Sequence, residues 1–186
     1  MGRFTFTATP LQGLWQVARH PQRDERGFFV RFFCATEFLH AGIDRPIAQI
    51  NHSHTSRRGS VRGLHFQHPP HAETKVVNCV RGEVFDVAVD LRRGSPTFLH
   101  WHGAHLSADN GHGLVIPPGF AHGFQALSDD CELIYLHTAP YVPAAEGALN
   151  IADPRLAIRW PLPIADVSAR DRAHPFIDDD YAGVTL

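Results

Sequence analysis

Apolar residues in this chain keep a two-residue period, and never for long. FTFTAT, AQINHS, KVVNCV, EVFDVAVDL, AHLSA, GLVIPP, HGFQAL and ELIYLHT alternate apolar with polar side chains, and each run stops near Gly, Pro, Asn or Asp. Alternation places successive side chains on opposite faces, so such runs are strands with one face turned to a core. The 15 Gly and 14 Pro are spread along all 186 residues and imply frequent turns. Many short strands in one chain of this length predict a single all-β domain over 1–186, an antiparallel jelly-roll or barrel. EVFDVAVDL is the clearest strand: Phe85, Val87 and Val89 share one face, Asp86, Ala88 and Asp90 the other. RRGSPTF and SADNGHG read as loops. The best helix is ATEFLHAG at 35–42, with Thr36 as N-cap and Gly42 just past its end. The tail PIADVSARDRAHPFIDD is polar and Pro-punctuated, irregular or briefly helical.

Composition narrows the function classes. Apolar residues make up 44% and charged residues 19%, enough for one substantial core. With a net charge of −2, nothing suggests the clustered basic surface that nucleic acid requires. No apolar run approaches membrane-spanning length, and MGRFTFTATPLQGLW carries no signal pattern. Cys34, Cys79 and Cys131 are scattered without CxxC spacing, which fits a reducing compartment and leads us to expect a cytoplasmic protein.

The 14 histidines raise the question of a metal. Small barrels of the cupin type hold one with a His-x-His pair, a carboxylate and a later histidine in a PGxxH turn. PPGFAH supplies the last of these through His122, but His65 has Gly63 and Gln67 at the positions two away. His68 is three away and falls on the opposite strand face, so we expect no metal. Around His65 stand Arg62 and Lys75, cations that a barrel interior tolerates best with an anionic ligand. Histidine is the side chain whose unperturbed pKa lies near neutrality, so His65 is also a candidate general base. Tyr135 could serve as an acid, Lys75 as a cation for oxyanion charge, and Asp86, Asp90 or Asp171 as an orienting carboxylate. Asp86 and Asp90 are equally read as ordinary strand-edge acids. Gly63, Gly82 and Gly119 read as turn or bulge residues, the Phe28, Phe29, Phe32, Phe33 run as core or interface, and Tyr181 has no assigned role.

From about residue 24 to about 175, the blocks DERGFF, NHSHTSRRGSVRGLHFQHPPHAETKVVNCVRGEVFDVAVDLRRGSPTF, IPPGFAHGFQALSD, ELIYLHTAPYVPAAEGAL, DPRLAIRWP and VSARD resemble the dTDP-4-dehydrorhamnose 3,5-epimerase family. The resemblance implies a metal-free, cofactor-free cupin-type jelly-roll, a homodimer acting on a nucleotide-linked 4-keto-6-deoxyhexose. Inversion at C3 and C5 would pass through an enolate. It makes His65 the base, Asp171 the carboxylate orienting it, Tyr135 the acid on the opposite face and Lys75 the cation near the C4 oxygen. Arg62 and His122 correspond to substrate or phosphate contacts. Arg26, Gln49 and Asn51 correspond to nucleotide contacts, some across the dimer. Tyr141 corresponds to an aromatic stacking on the base, and Glu146 and Arg170 to further substrate contacts. The chain departs from the pattern after RGFF, where the family carries a glutamate at the thymine end and the register here gives Arg31. SRRGSVRGLHFQHPP is also similar to the branch that works on antibiotic deoxysugars, so inversion of a single centre and a 3,4-ketoisomerase relative stand as alternatives.

Overall fold

The computed structural model describes residues 2–186. In chain order the strands are β1 (Phe4–Ala8), β2 (Trp15–Arg19), β3 (Gln22–Asp24), β4 (Gly27–Phe29) and β5 (Gln49–Thr55). Then come β6 (Ser60–Gln67), β7 (Lys75–Arg81), β8 (Glu83–Asp90), β9 (Trp101–Ser107) and β10 (His112–Ile116). The last are β11 (Phe120–Ala126), β12 (Cys131–His137), β13 (Glu146–Ala148) and β14 (Asp166–Val167). One sheet runs β1-β2-β10-β7-β12-β5 and the other β13-β6-β11-β8-β9, with β14 parallel to β6. Sequence neighbours are repeatedly separated in the sheets, the crossing pattern of a jelly-roll. β3 and β4 form a separate hairpin.

Three apolar layers account for the burial. Between the sheets, Val77, Cys79, Leu114 and Leu133 of the first meet Val84, Ala88, Leu106, Phe120 and Phe124 of the second. Truncating Phe124 to Ala here costs about 3–5 kcal/mol. The outer face of the second sheet is covered by the chain's last third, where Leu149, Ile151, Leu156, Ile177 and Val184 pack on Leu64, Phe66, Val87 and Val89. The outer face of the first sheet is covered by Phe38, Ala41 and Ile43 against Val17, Val76, Val115 and Leu136. Both faces of the central strands are therefore dry.

Two expectations change for this reason. β8 lies between β11 and β9, so Asp86 and Asp90 are fully buried and are not edge acids. Asp90 accepts from Arg92, Ser95 and Thr97, a loop-fastening network. The helix is also shorter than read: α1 covers Ala35–Phe38, followed by a 3-10 turn at Leu39–Ala41. Its N-cap is Cys34, without a side-chain cap bond, and Thr36 lies inside the helix. Packing holds this segment, because Phe38 meets Phe4 and Phe6 edge to face at 4.9 and 5.1 Å. Gly42 ends it at φ 82°. In the aromatic run, Phe33 joins this layer and Phe32 lies under the Arg19 guanidinium, whereas Phe28 and Phe29 are exposed on the hairpin.

Candidate active site

A cleft of about 810 Å³ opens between the sheets. Its walls carry Arg62 and His65 from β6, Lys75 from β7, His122 from β11, Tyr135 from β12 and Asn51 and Ser53 from β5. Strict alternation would send Arg62 and His65, three residues apart, to opposite faces. An irregularity at Gly63 corrects this: His65 stands opposite His122 and Arg62 opposite Phe124, so three steps on β6 match two on β11. Gly63 has φ +121°, and a Cβ there would lie 2.6 Å from the Gly123 Cα. Only glycine fits the approach.

The third wall comes from the tail. α2 (Ala169–Arg172) is capped by Ser168, whose Oγ accepts from the Asp171 amide at 3.0 Å. Buried Asn150 donates to the carbonyls of Arg172 and His174 and pins the segment over β6. His65 Nε2–H donates to Asp171 Oδ1 at 2.9 Å, and the Gly63 amide donates to Oδ2 at 3.3 Å. Burial alone would raise the Asp171 pKa. The hydrogen bonds from His65 and the Gly63 amide, with the electrostatic pull of the His65 and His174 imidazoles, together outweigh it and hold the carboxyl down at about 2. The carboxylate therefore fixes one tautomer of His65 and leaves Nδ1 as the nitrogen with a free lone pair.

The facing wall belongs to the other sheet. Burial pushes the Tyr135 phenol well above its usual range, and the hydrogen bond it shares with Ser53 at 3.1 Å only partly opposes this. Next to it His122 Nε2–H donates to Asp86 Oδ1 at 2.8 Å. Burial raises the Asp86 carboxyl against the pull of that imidazole. Lys75 Nζ donates to the His65 carbonyl at 3.3 Å and pairs with Glu73 Oε1 at 3.2 Å. Burial would raise Glu73, but His137, Lys75 and Gln67 together bring it down to about 2. A buried carboxylate thus holds the ammonium at the floor of the cleft, with a donor left for a ligand.

The remaining candidates divide. Gln49, Tyr141 and Glu146 line a smaller space of about 110 Å³ that shares His65, Lys75 and Asn51 with the cleft. They form a rim chain: the Tyr141 amide donates to Gln49 Oε1 at 2.9 Å, its hydroxyl to Glu146 Oε2 at 3.0 Å, and Arg170 pairs with Glu146. Arg62 Nε donates to Thr55 Oγ1 at 2.9 Å, which aims the guanidinium along the same wall. Arg26 and Arg31 are not brought to the cleft of their own chain. Arg26 pairs with Asp24 on the exposed β3–β4 hairpin, and Arg31 with Glu37 at 3.4 Å. Sequence reasoning missed Glu73, Ser53, Asn150 and His174. HAETK and RDRAH did place an acid and an imidazole near Lys75 and Asp171, but their contacts depend on the folded backbone.

The profile of the dTDP-4-dehydrorhamnose 3,5-epimerase family matches residues 8–179. The chain belongs to this family. It is 44% identical over 157 residues to the dTDP-4-dehydrorhamnose 3,5-epimerase of Salmonella typhimurium, covering 83% of this chain and 85% of that protein. It is 42% identical to the dTDP-4-dehydrorhamnose 3-epimerase of Streptomyces niveus, covering 87% of this chain and 78% of the relative. Among solved structures, the epimerase of Legionella pneumophila in complex with dTDP-4-keto-L-rhamnose superposes with a TM-score of 0.90 at 38% identity, over 97% of this chain and 98% of that one. In this cupin-like family fold the site just described lies inside the matched region.

Proposed function

We propose that the protein epimerises a dTDP-linked 4-keto-6-deoxyhexose at C3 and C5 in deoxysugar biosynthesis. The observation that carries this reading is the meeting of the Asp171-wired His65 on one sheet and the partly buried Tyr135 on the other in one cleft that Lys75 also lines. Both carbons lie α to the C4 ketone, so their protons become acidic once the oxygen can take the charge. His65 Nδ1 removes the proton, and Asp171 stabilises the imidazolium that forms. The C4 oxygen, now an enolate, faces the Lys75 ammonium. Tyr135 returns a proton from the other face, and its raised pKa keeps the phenol loaded for that step. Arg62, His122 and Arg170 hold the diphosphate and sugar, and Gln49, Asn51, Tyr141 and Glu146 the nucleoside end.

The protein functions as a homodimer. β5 is an edge strand with exposed Ile50 beside Asn51, and the hairpin presents exposed Phe28 and Phe29 beside Arg26. Pairing of these surfaces would bring the partner's Arg26 and Arg31 towards the nucleotide. Light scattering reads the mass directly, and a monomer at working concentration overturns the pairing. No helix among the described residues is long and apolar enough to cross a membrane. Three free cysteines support a reducing, cytoplasmic setting.

The deciding experiment is incubation with dTDP-4-keto-6-deoxyglucose in D₂O, with deuterium followed by NMR. Incorporation at C3 and C5 is expected. Incorporation at one carbon makes the protein a single-centre epimerase, the activity named for the Streptomyces niveus relative. Incorporation at neither overturns the proposal.

A further inference from the structure

The segment that delivers Asp171 also delivers an imidazole that the proposed chemistry does not use. His174 Nε2–H donates to Asp171 Oδ1 at 3.2 Å, the same oxygen that accepts from His65 at 2.9 Å. The two rings meet edge to face at 5.5 Å. Two imidazole nitrogens and one carboxylate oxygen, from three different positions, lie within 4.8 Å of one another. Their side chains are 31%, 7% and 13% exposed for His65, Asp171 and His174, so the set is sheltered; His65 and Asp171 line the cleft, and His174 lines a neighbouring space of about 420 Å³.

We propose that His65, Asp171 and His174 form an inhibitory site for a borderline divalent cation, Zn²⁺ above all, which shuts the enzyme by occupying its base. Zinc bonds of about 2.0–2.2 Å to nitrogen and carboxylate oxygen, at angles near tetrahedral, hold ligand atoms roughly 3.2–3.5 Å apart. The two N–H···O separations of 2.9 and 3.2 Å are within a few tenths of an ångström of that spacing, and the two nitrogens, within 4.8 Å of each other, reach it by rotation of the rings. Each ring hands its Nε2 proton to Nδ1, and the cation replaces two hydrogen bonds to one oxygen. Two imidazoles with one carboxylate suit Zn²⁺, Co²⁺, Ni²⁺ or Cu²⁺ and disfavour Mg²⁺ and Ca²⁺, which want oxygen ligands. The Gly63 amide on Oδ2 and Asn150 behind His174 hold the ligands from the outer side. Lys75 and Arg62 in the same cleft oppose a second cation. Affinity therefore falls below that of a closed structural zinc site, and the metal acts as a reversible inhibitor, not a resident cofactor.

The probe is Co²⁺ followed by its visible spectrum, with Zn²⁺ added in competition, on the full-length protein and on His174→Ala. The wild type is expected to give a low-coordinate Co²⁺ spectrum at one equivalent, displaced by Zn²⁺. The Zn²⁺ concentration that halves each protein's own metal-free rate should rise at least about tenfold in His174→Ala. Should that variant misfold by circular dichroism, His174→Gln keeps the volume without the ligating nitrogen. An aqueous Co²⁺ spectrum, or equal Zn²⁺ sensitivity of wild type and variant, overturns the proposal. The spectrum reads the site whatever the cleft catalyses. Only the rate arm rests on the epimerase reading, so failure of the one is distinguishable from failure of the other.

Discussion

The two walls of the cleft set up an imidazole and a phenol, the proposed proton acceptor and donor, by opposite means. On the β6 wall the imidazole of His65 is partly open and wired: one nitrogen is committed to Asp171, 106 residues away in sequence, and that carboxylate is held by a backbone amide and a capped helical turn. On the β12 wall the phenol of Tyr135 is partly buried and nearly unwired, with Ser53 as its hydrogen-bond partner and desolvation as the dominant influence on its pKa. A base that must carry positive charge in mid-reaction needs a fixed anion beside it. An acid that must stay protonated until called on needs only the absence of water.

The comparison breaks most decisively at His65. His65→Ala should abolish C3 and C5 exchange, a loss of about 10²–10⁴-fold, with an unchanged circular dichroism spectrum. Wild-type exchange in that variant would remove the wired wall from the mechanism. Tyr135→Phe should cost net inversion about 10²-fold while deuterium wash-in at the abstracted position survives better, because abstraction precedes donation. Equal loss of both would show that the phenol acts before the enolate forms.

A smaller effect concerns stability. Asp171 and Glu73 both sit at about 2 in the fold, below unfolded values of about 4. Their contribution is therefore complete above about pH 4 and lost as the pH falls from there towards 2. The melting temperature should fall across that window, and Glu73→Gln should flatten the fall. An unchanged profile in the variant would show that Glu73 is not held as an anion. Smallest of all, Glu132→Gln removes the exposed pairs with Arg81 and His52 at the far end of Tyr135's own strand. It should leave both melting temperature and exchange rate unchanged, since exposed pairs contribute little. A loss of exchange there would mean that the phenol wall is less insulated than its burial implies.

Legibility in the sequence followed locality. Strand runs such as EVFDVAVDL, KVVNCV and ELIYLHT could be read because their signal is the alternation itself. The residues of the dyad, the phenol and the lysine could be named from the family-like blocks. In the sequence Asp86 resembles an edge acid because a strand's place in its sheet is absent from its own residues, and Thr36 resembles a cap because α1 is held by Phe38 packing and not by its end. Glu73, Asn150 and His174 escaped because a second-rank polar contact leaves no spacing to recognise.

By itself the sequence determined a chain of short antiparallel strands, a core between them, and the residue types of a carbon-acid epimerase. The tertiary structure alone decided that they meet. The extra residue at Gly63 turns Arg62 and His65 onto one wall, the tail laid over β6 brings Asp171 and His174 to one imidazole, and the crossing of strands between two sheets sets Tyr135 opposite. The physical reason is range: alternation is a property of neighbouring residues, whereas convergence depends on strand order, register and one bulge.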